Sequence, residues 1–124
     1  MMRYLTDRKR AIGNGSAREG TNRHWNMTVS SYGLLVLVPL FLCAFAPMLG
    51  ASYAEVTAHF AKPFPAIVTA LTLWISMMHF KDGARTMIED YVHGYKRELF
   101  IIIAAVLAYA IAATGVFAIL KMAL

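Results

Sequence analysis

Three long apolar runs constrain this chain more than any other feature of its sequence. They cover residues 29–49, 64–80 and 99–120, and none of them contains Lys, Arg, Asp or Glu. About twenty residues at about 1.5 Å each cross a hydrocarbon core of about 30 Å. The chain is 59% hydrophobic and only 15% charged, whereas soluble domains carry about 25% charged residues. The sequence therefore predicts an all-α membrane protein with three transmembrane helices.

Helix signals extend the second run beyond its apolar part. Pro63 and Pro65 suit a helix start, and the residues after Lys81 keep a helical pattern as far as Gly94. We therefore expect this helix to project into the membrane interface. The predicted division is an N-terminal extension over residues 1–28 and a three-helix anchor over residues 29–124, with spans at 29–49, 64–92 and 99–121.

The basic residues predict how the helices are oriented. Six of the twelve Lys and Arg precede the first run, one lies in 51–63, four lie in 81–98 and one follows the third run. Because cytoplasmic loops carry the excess of positive charge, we expect the N-terminus in the cytoplasm or matrix and the C-terminus on the opposite side. This clustering accounts for the net charge of +5 without nucleic-acid binding. The polar segment before the first run argues against a secretory signal.

Cys43 and three histidines are expected to lie outside any functional site. Cys43 is the one cysteine, so no disulfide can form within the chain, and we expect a buried or lipid-facing thiol. His24, His59 and His93 lie outside the apolar runs and are expected to be solvated or interfacial.

The third helix carries an edge of small residues. They recur at helical spacing as Ala104, Ala108, Ala112 and Gly115. Small side chains let two membrane helices approach closely. This edge therefore predicts tight packing against a neighbouring helix.

The second helix carries a polar stripe. At about 100° per residue, positions seven or eleven apart return to nearly the same face. The residues that share this face are Thr72, Ser76, His79, Gly83, Thr86 and Asp90. Such a stripe is compatible with a helix–helix packing seam as well as with a functional site.

His79 makes a functional site worth considering. A neutral imidazole can hold haem iron axially, and Gly83 one turn later would leave room for a flat macrocycle. His79 could instead form a hydrogen bond across the bundle or act in a proton relay. Asp90 and Tyr91 lie about 16–18 Å further along an unbroken helix. There Tyr91 could be an interfacial belt residue, or a phenol that donates a hydrogen bond to a carbonyl oxygen.

The spacing His79-x3-Gly83-x6-Asp90-Tyr91, on the second of three helices, resembles the hydrophobic D-type membrane anchors of succinate dehydrogenase, respiratory complex II. The N-terminal residues 15–21, His24-Trp25 and residues 29–31 resemble the alphaproteobacterial and mitochondria-like branch. The likeness covers almost the whole chain. Arg23 departs from it, because many relatives are expected to carry histidine there.

The resemblance implies a four-subunit quinone oxidoreductase. In it a flavoprotein subunit oxidises succinate, an iron–sulfur subunit relays electrons, and two membrane anchors bind haem b and ubiquinone. By position, His79 would be one axial ligand of the haem iron, and a cytochrome b556-type partner anchor would supply the other. Tyr91 would hydrogen-bond ubiquinone, with Asp90 supporting that site. The implied location is a bacterial inner membrane, rather than the mitochondrial one, in contact with lipid.

Two other functions stay open at this point. One is a cofactor-free assembly or structural subunit whose polar stripe is only a packing seam. The other is a small proton-coupled transport subunit that uses His79 and Asp90 as a relay.

Overall fold

Helices make up most of this computed structural model, which describes residues 6–13, 15 and 20–124. Residues 16–19 of the N-terminal resemblance, with Arg3, lie outside the described residues. In chain order the helices are α1 (Asp7–Ile12), α2 (Gly20–Phe45), α3 (Tyr53–Phe60), α4 (Pro63–Tyr91) and α5 (Tyr95–Ala123). Three of them, α2 with the short turn after it, α4 and α5, are long and apolar enough to cross a membrane. The predicted fold class is confirmed.

The long helices extend beyond the apolar runs. α2 begins at Gly20, α4 ends at Tyr91 and α5 begins at Tyr95. Each of these three helix ends extends past the apolar run by polar turns. A helix of 29 residues, such as α4, is about 44 Å long, which exceeds a hydrocarbon core of about 30 Å. The second helix therefore continues past Lys81 as expected and ends at Tyr91, whereas its place in the membrane interface stays a prediction. The boundary drawn at residue 28 lies inside α2, and the membrane-embedded part of each helix stays a prediction, as does the orientation of the termini.

α2 ends where proline and glycine interrupt it. The helix continues through Pro39 to Phe45, and a single 3-10 turn, Ala46–Met48, contains Pro47. Gly50 then adopts a φ of +82°, in the left-handed region that glycine occupies without steric cost. The chain thereby leaves the first membrane helix and enters a short connection.

α3 is a short helix in that connection, and it was not predicted. Ser52 caps it: the Ser52 amide donates to Glu55 Oε2 at 2.8 Å, and the Ser52 hydroxyl accepts from the Glu55 amide at 3.4 Å. This is a capping box, and its hydrogen bonds from Ser52 hold the pKa of Glu55 below its usual value. His59 Nε2 donates to the Ala44 carbonyl near the end of α2 at 2.9 Å. Phe60, only 2% exposed, packs into a small cluster with Ala66 and Ile119.

α4 lies between α2 and α5 and packs against both. On α5, Ala108 and Ala112 are fully buried, and a Cβ built on Gly115 would overlap the Cδ2 atom of Leu73 on α4. The predicted packing role of the small-residue edge is confirmed at these three positions. Cys43 is exposed on α2, which agrees with a lipid-facing thiol.

Candidate functional site

The polar stripe of α4 faces α2. Thr72 donates to the Leu37 carbonyl at 3.4 Å and to the Val68 carbonyl in its own helix at 2.7 Å. Further along α4, the Thr86 hydroxyl lies 4.0 Å from the Met27 sulfur. The stripe is therefore part of the α2–α4 seam, which is the packing interpretation that the sequence left open.

His79 lies on this seam and uses one of its two ring nitrogens there. The side chain is half-buried, and Nδ1 lies 2.8 Å from the hydroxyl of Ser30 on α2. In the part of the chain that the structure describes, Nε2 has no hydrogen-bond partner. The hydrogen bond across the bundle that the sequence allowed is thus observed, and it leaves the second nitrogen available.

The surroundings of His79 fit an axial haem ligand. A Cβ built on Gly83, one turn further along α4, would meet nothing within 4 Å, so open space lies beside that turn. Protein histidines that bind metals commonly have the other ring nitrogen held by a hydrogen bond. Within the described ranges, no group of three or more His, Cys, Asp and Glu side chains could hold a metal ion. A haem would not require such a group, because a single histidine can serve as an axial ligand of haem iron.

Asp90 and Tyr91 lie at the far end of α4, away from His79. Because α4 is continuous, Tyr91 lies about 18 Å from His79 along the helix axis. Tyr91 is 81% exposed and Asp90 is also exposed. Neither side chain has a hydrogen bond or ion pair to another described residue. The structure therefore does not bring these two residues together with His79.

An ion-pair cluster around Glu89 was missed by the sequence analysis. Arg85 Nε lies 2.8 Å from Glu89 Oε1, Arg23 Nη1 lies 3.3 Å from Glu89 Oε2, and Arg97 Nη2 lies 4.0 Å from Oε1. The cluster joins the first turns of α2 and α5 to the last turns of α4. The four-residue spacing of Arg85 and Glu89 was a readable signal, whereas the partners on α2 and α5 were not. Arg23, the departure from the resemblance, has a structural role here.

Lys81 forms a second polar contact that sequence reasoning did not anticipate. Its ammonium group lies 3.5 Å from Asp82 Oδ1, donates to the Tyr109 hydroxyl at 3.4 Å and sits 5.4 Å from the centre of the Tyr109 ring. A cavity of about 240 Å³ lies beside this contact, between α4 and α5. The contact ties a basic residue of α4 to the middle of α5.

The remaining histidines do not join the site. His24 and His93 are exposed, as expected, and lie in the first turns of α2 and just after α4. His59 is half-buried and its Nε2 donates a hydrogen bond to the Ala44 carbonyl. This contact connects α3 to α2.

Comparison with known proteins agrees with this architecture. The family model described as succinate dehydrogenase/fumarate reductase transmembrane subunit matches residues 2–117. A succinate dehydrogenase hydrophobic membrane anchor subunit from Paracoccus denitrificans is 46% identical over 123 residues, which cover 99% of this chain and 95% of that protein. No solved structure matches the chain significantly. The resemblance read from the sequence is therefore confirmed: the chain belongs to the family of succinate dehydrogenase/fumarate reductase transmembrane subunits, and it is a membrane anchor of a succinate dehydrogenase complex.

Proposed function

We propose that this anchor helps to bind haem b and ubiquinone and passes electrons from the iron–sulfur subunit to quinone. The observation that carries the proposal is the state of His79, whose Nδ1 is hydrogen-bonded while Nε2 has no described partner, next to the open space at Gly83. Membership of the succinate dehydrogenase family supports it independently. The proposed location is a bacterial inner membrane, with the start of α2 on the cytoplasmic side.

In this proposal, His79 would hold the haem iron through Nε2, and a cytochrome b556-type partner anchor would supply a second histidine. When bound, haem b supplies a one-electron carrier within the membrane. The contribution of this chain is to hold one imidazole on a packed helix face. Small and hydroxylated neighbours at the seam, including Ser30 and Gly83, keep bulk away from that face.

Tyr91 and Asp90 are proposed to serve ubiquinone. An exposed phenol at the end of α4 can donate a hydrogen bond to a quinone carbonyl oxygen, and the neighbouring carboxylate can position polar groups around it. Support comes from their exposure and from the lack of partners for both side chains among the described residues. The end of α4 is also where the positively charged connections lie, so the proposed quinone site is on the side of the flavoprotein and iron–sulfur subunits.

The ligand assignment is tested by a reduced-minus-oxidised spectrum of the purified four-subunit complex. The parent complex is expected to show a b-type signal that His79→Ala weakens or abolishes. His93→Ala is the matched control, because that histidine is exposed and outside the bundle. A complex with all subunits present and an unchanged spectrum after His79→Ala would refute the assignment.

The quinone assignment is tested with Tyr91→Phe, which removes only the hydroxyl. Succinate–quinone reduction should fall by about fivefold to thirtyfold, as expected from losing about 1–2 kcal/mol of hydrogen bonding. Succinate oxidation by a soluble artificial acceptor should stay intact. Tyr95→Phe is the control, because Tyr95 is equally exposed, at 80%, in the first turn of α5. Equal loss of both activities would show a structural role for Tyr91 instead.

A cofactor-free anchor is the second candidate, and the stripe itself favours it, because Thr72 and Thr86 are used in helix packing. A parent complex that lacks any b-type signal would select this candidate. The transport alternative has no such support. His79 and Asp90 are about 16 Å apart along α4, which is too far for direct proton transfer between them.

A further inference from the structure

The hydroxyl of Ser30 contacts two groups at hydrogen-bond distance. Its Oγ lies 2.8 Å from His79 Nδ1 and 2.9 Å from the carbonyl oxygen of Met27 in its own helix. A serine hydroxyl has one proton to donate and can also accept, whereas a carbonyl oxygen can only accept. The contact with Met27 therefore uses the hydroxyl proton of Ser30. The contact with His79 is then satisfied when Nδ1 carries a proton and donates it to Ser30 Oγ.

The opposite arrangement is less favourable in an apolar environment. If Ser30 donated to Nδ1, the neutral ring would carry its proton on Nε2. That N–H would have no acceptor among the residues described, and at membrane depth, where water is absent, a donor without an acceptor costs about 1–3 kcal/mol. It could not bind a metal either, because the lone pair would be absent. With Nδ1 protonated, the Nδ1 proton is donated to Ser30 Oγ and the Ser30 hydroxyl proton to the Met27 carbonyl. The lone pair of Nε2 is then exposed.

We propose that Ser30 is the positioning residue for His79: its Oγ accepts a hydrogen bond from Nδ1–H, selects the tautomer that exposes the Nε2 lone pair, and fixes the plane of the ring. This inference rests on the proposed haem ligation. A hydrogen bond that draws on the Nδ1 proton makes the imidazole a stronger electron donor, which favours the oxidised iron. Loss of that bond shifts the haem midpoint potential to a more positive value and weakens haem retention by about tenfold to a hundredfold.

The chain offers a matched control one residue away. The Ser31 hydroxyl donates to the same Met27 carbonyl at 2.8 Å, and no contact joins it to His79 in the described structure. Ser31→Ala therefore makes the same chemical change on the same turn of α2 without touching the ring. Ser30→Thr keeps the hydroxyl and should restore the behaviour of the parent.

The experiment is a redox titration of the complete complex, with electron paramagnetic resonance of the low-spin haem and haem content per complex. Ser30→Ala is expected to raise the midpoint potential, to change the resonance and to lower haem content. Ser31→Ala and Ser30→Thr should match the parent. If Ser30→Ala fails to assemble, Ser30→Cys replaces it, because a thiol of similar shape is a weaker acceptor and should shift the potential in the same direction.

The outcomes separate this inference from the proposed function. If His79→Ala removes the haem signal while Ser30→Ala leaves the potential and resonance unchanged, the Ser30 inference is wrong and haem ligation stands. Equal shifts in Ser30→Ala and Ser31→Ala would also overturn it, because they would reflect a general loosening of α2. If His79→Ala leaves the haem signal intact, both proposals fail.

Discussion

Replacing Glu89 with glutamine removes the carboxylate that connects three helices at one end of the bundle. Arg85 is in the same helix, so its contact with Glu89 does not hold α2 in place, and Arg97, whose Nη2 is 4.0 Å from Glu89, is on α5. Within this cluster, the contact between Arg23 and Glu89, at 3.3 Å, joins the first turn of α2 to α4. We therefore expect Glu89→Gln to release the first turns of α2 in particular.

The magnitude follows from the distance and the exposure of the pair. Two unit charges about 4 Å apart attract by about 1 kcal/mol in water and about 4 kcal/mol near a protein surface, while exposed pairs contribute about 0.2–1 kcal/mol when measured. The Arg23 and Glu89 side chains are 27% and 24% exposed, so they are partly covered. We expect a loss of about 1 kcal/mol, which corresponds to about a fivefold change in an opening equilibrium.

Hydrogen–deuterium exchange of the purified complex measures this change locally. Backbone amides of residues 20–28 should exchange about fivefold faster in Glu89→Gln, and those of residues 105–120 should not change. Glu98→Gln removes the same charge in the first turn of α5, where Glu98 has no partner among the described residues, and should leave α2 as in the parent.

A double-mutant cycle isolates the pair. In an Arg23→Gln background, Glu89→Gln should cause no further acceleration in residues 20–28. Unchanged exchange there in the single Glu89→Gln variant would refute the reasoning, as would additive effects of the two substitutions.

Two further predictions concern packing and pH. Gly115→Ala places a methyl group where Leu73 Cδ2 lies, so overpacking of about 1–3 kcal/mol should lower the thermal midpoint of the complex. Adding Leu73→Val should recover part of the loss. A Gly115→Ala complex as stable as the parent would contradict the tight packing of α4 against α5. The pKa of Glu55 is lowered by its hydrogen bonds from Ser52, so the ionised carboxylate stabilises α3 at pH values above the usual carboxyl range, and this contribution is lost as the pH falls through the lowered pKa. Hydrogen exchange in residues 53–60, corrected for the intrinsic pH dependence, should therefore rise on acidification in the parent and change much less in Ser52→Ala, and equal pH responses would count against the capping box.

The helix count was readable from the sequence, but the helix ends and the short elements were not. The apolar runs identify three spans because hydropathy is a local property of about twenty consecutive residues. The first turns of α2 contain Asn22, Arg23 and His24, which have no apolar periodicity, and there Arg23 contacts Glu89 of α4. α3 was missed although its Ser52 and Glu55 carry a recognisable capping pattern, because eight residues of helix need tertiary contacts to persist.

The candidate site was readable only in part. The spacing of His79, Gly83 and Asp90 placed them on one helix face, and the structure keeps them there. The sequence could not tell whether that face meets lipid, a partner or another helix of this chain. The structure places the stripe from Thr72 to Thr86 against α2. This part of the stripe is a packing seam, in which one ring nitrogen of His79 has no partner among the described residues.

The sequence by itself determined that this chain is a three-helix membrane anchor, because a bilayer offers the polar backbone of an apolar segment no hydrogen-bond partners except those within its own helix. It also determined which residues share a helix with His79. Only the tertiary structure decided which nitrogen of His79 is engaged and which arginines surround Glu89. Ser30 and His79 are 49 residues apart, and Arg23 and Glu89 are 66 apart. Such pairs meet only after the rotation and crossing of the helices are set, and side-chain packing along the whole seam sets them.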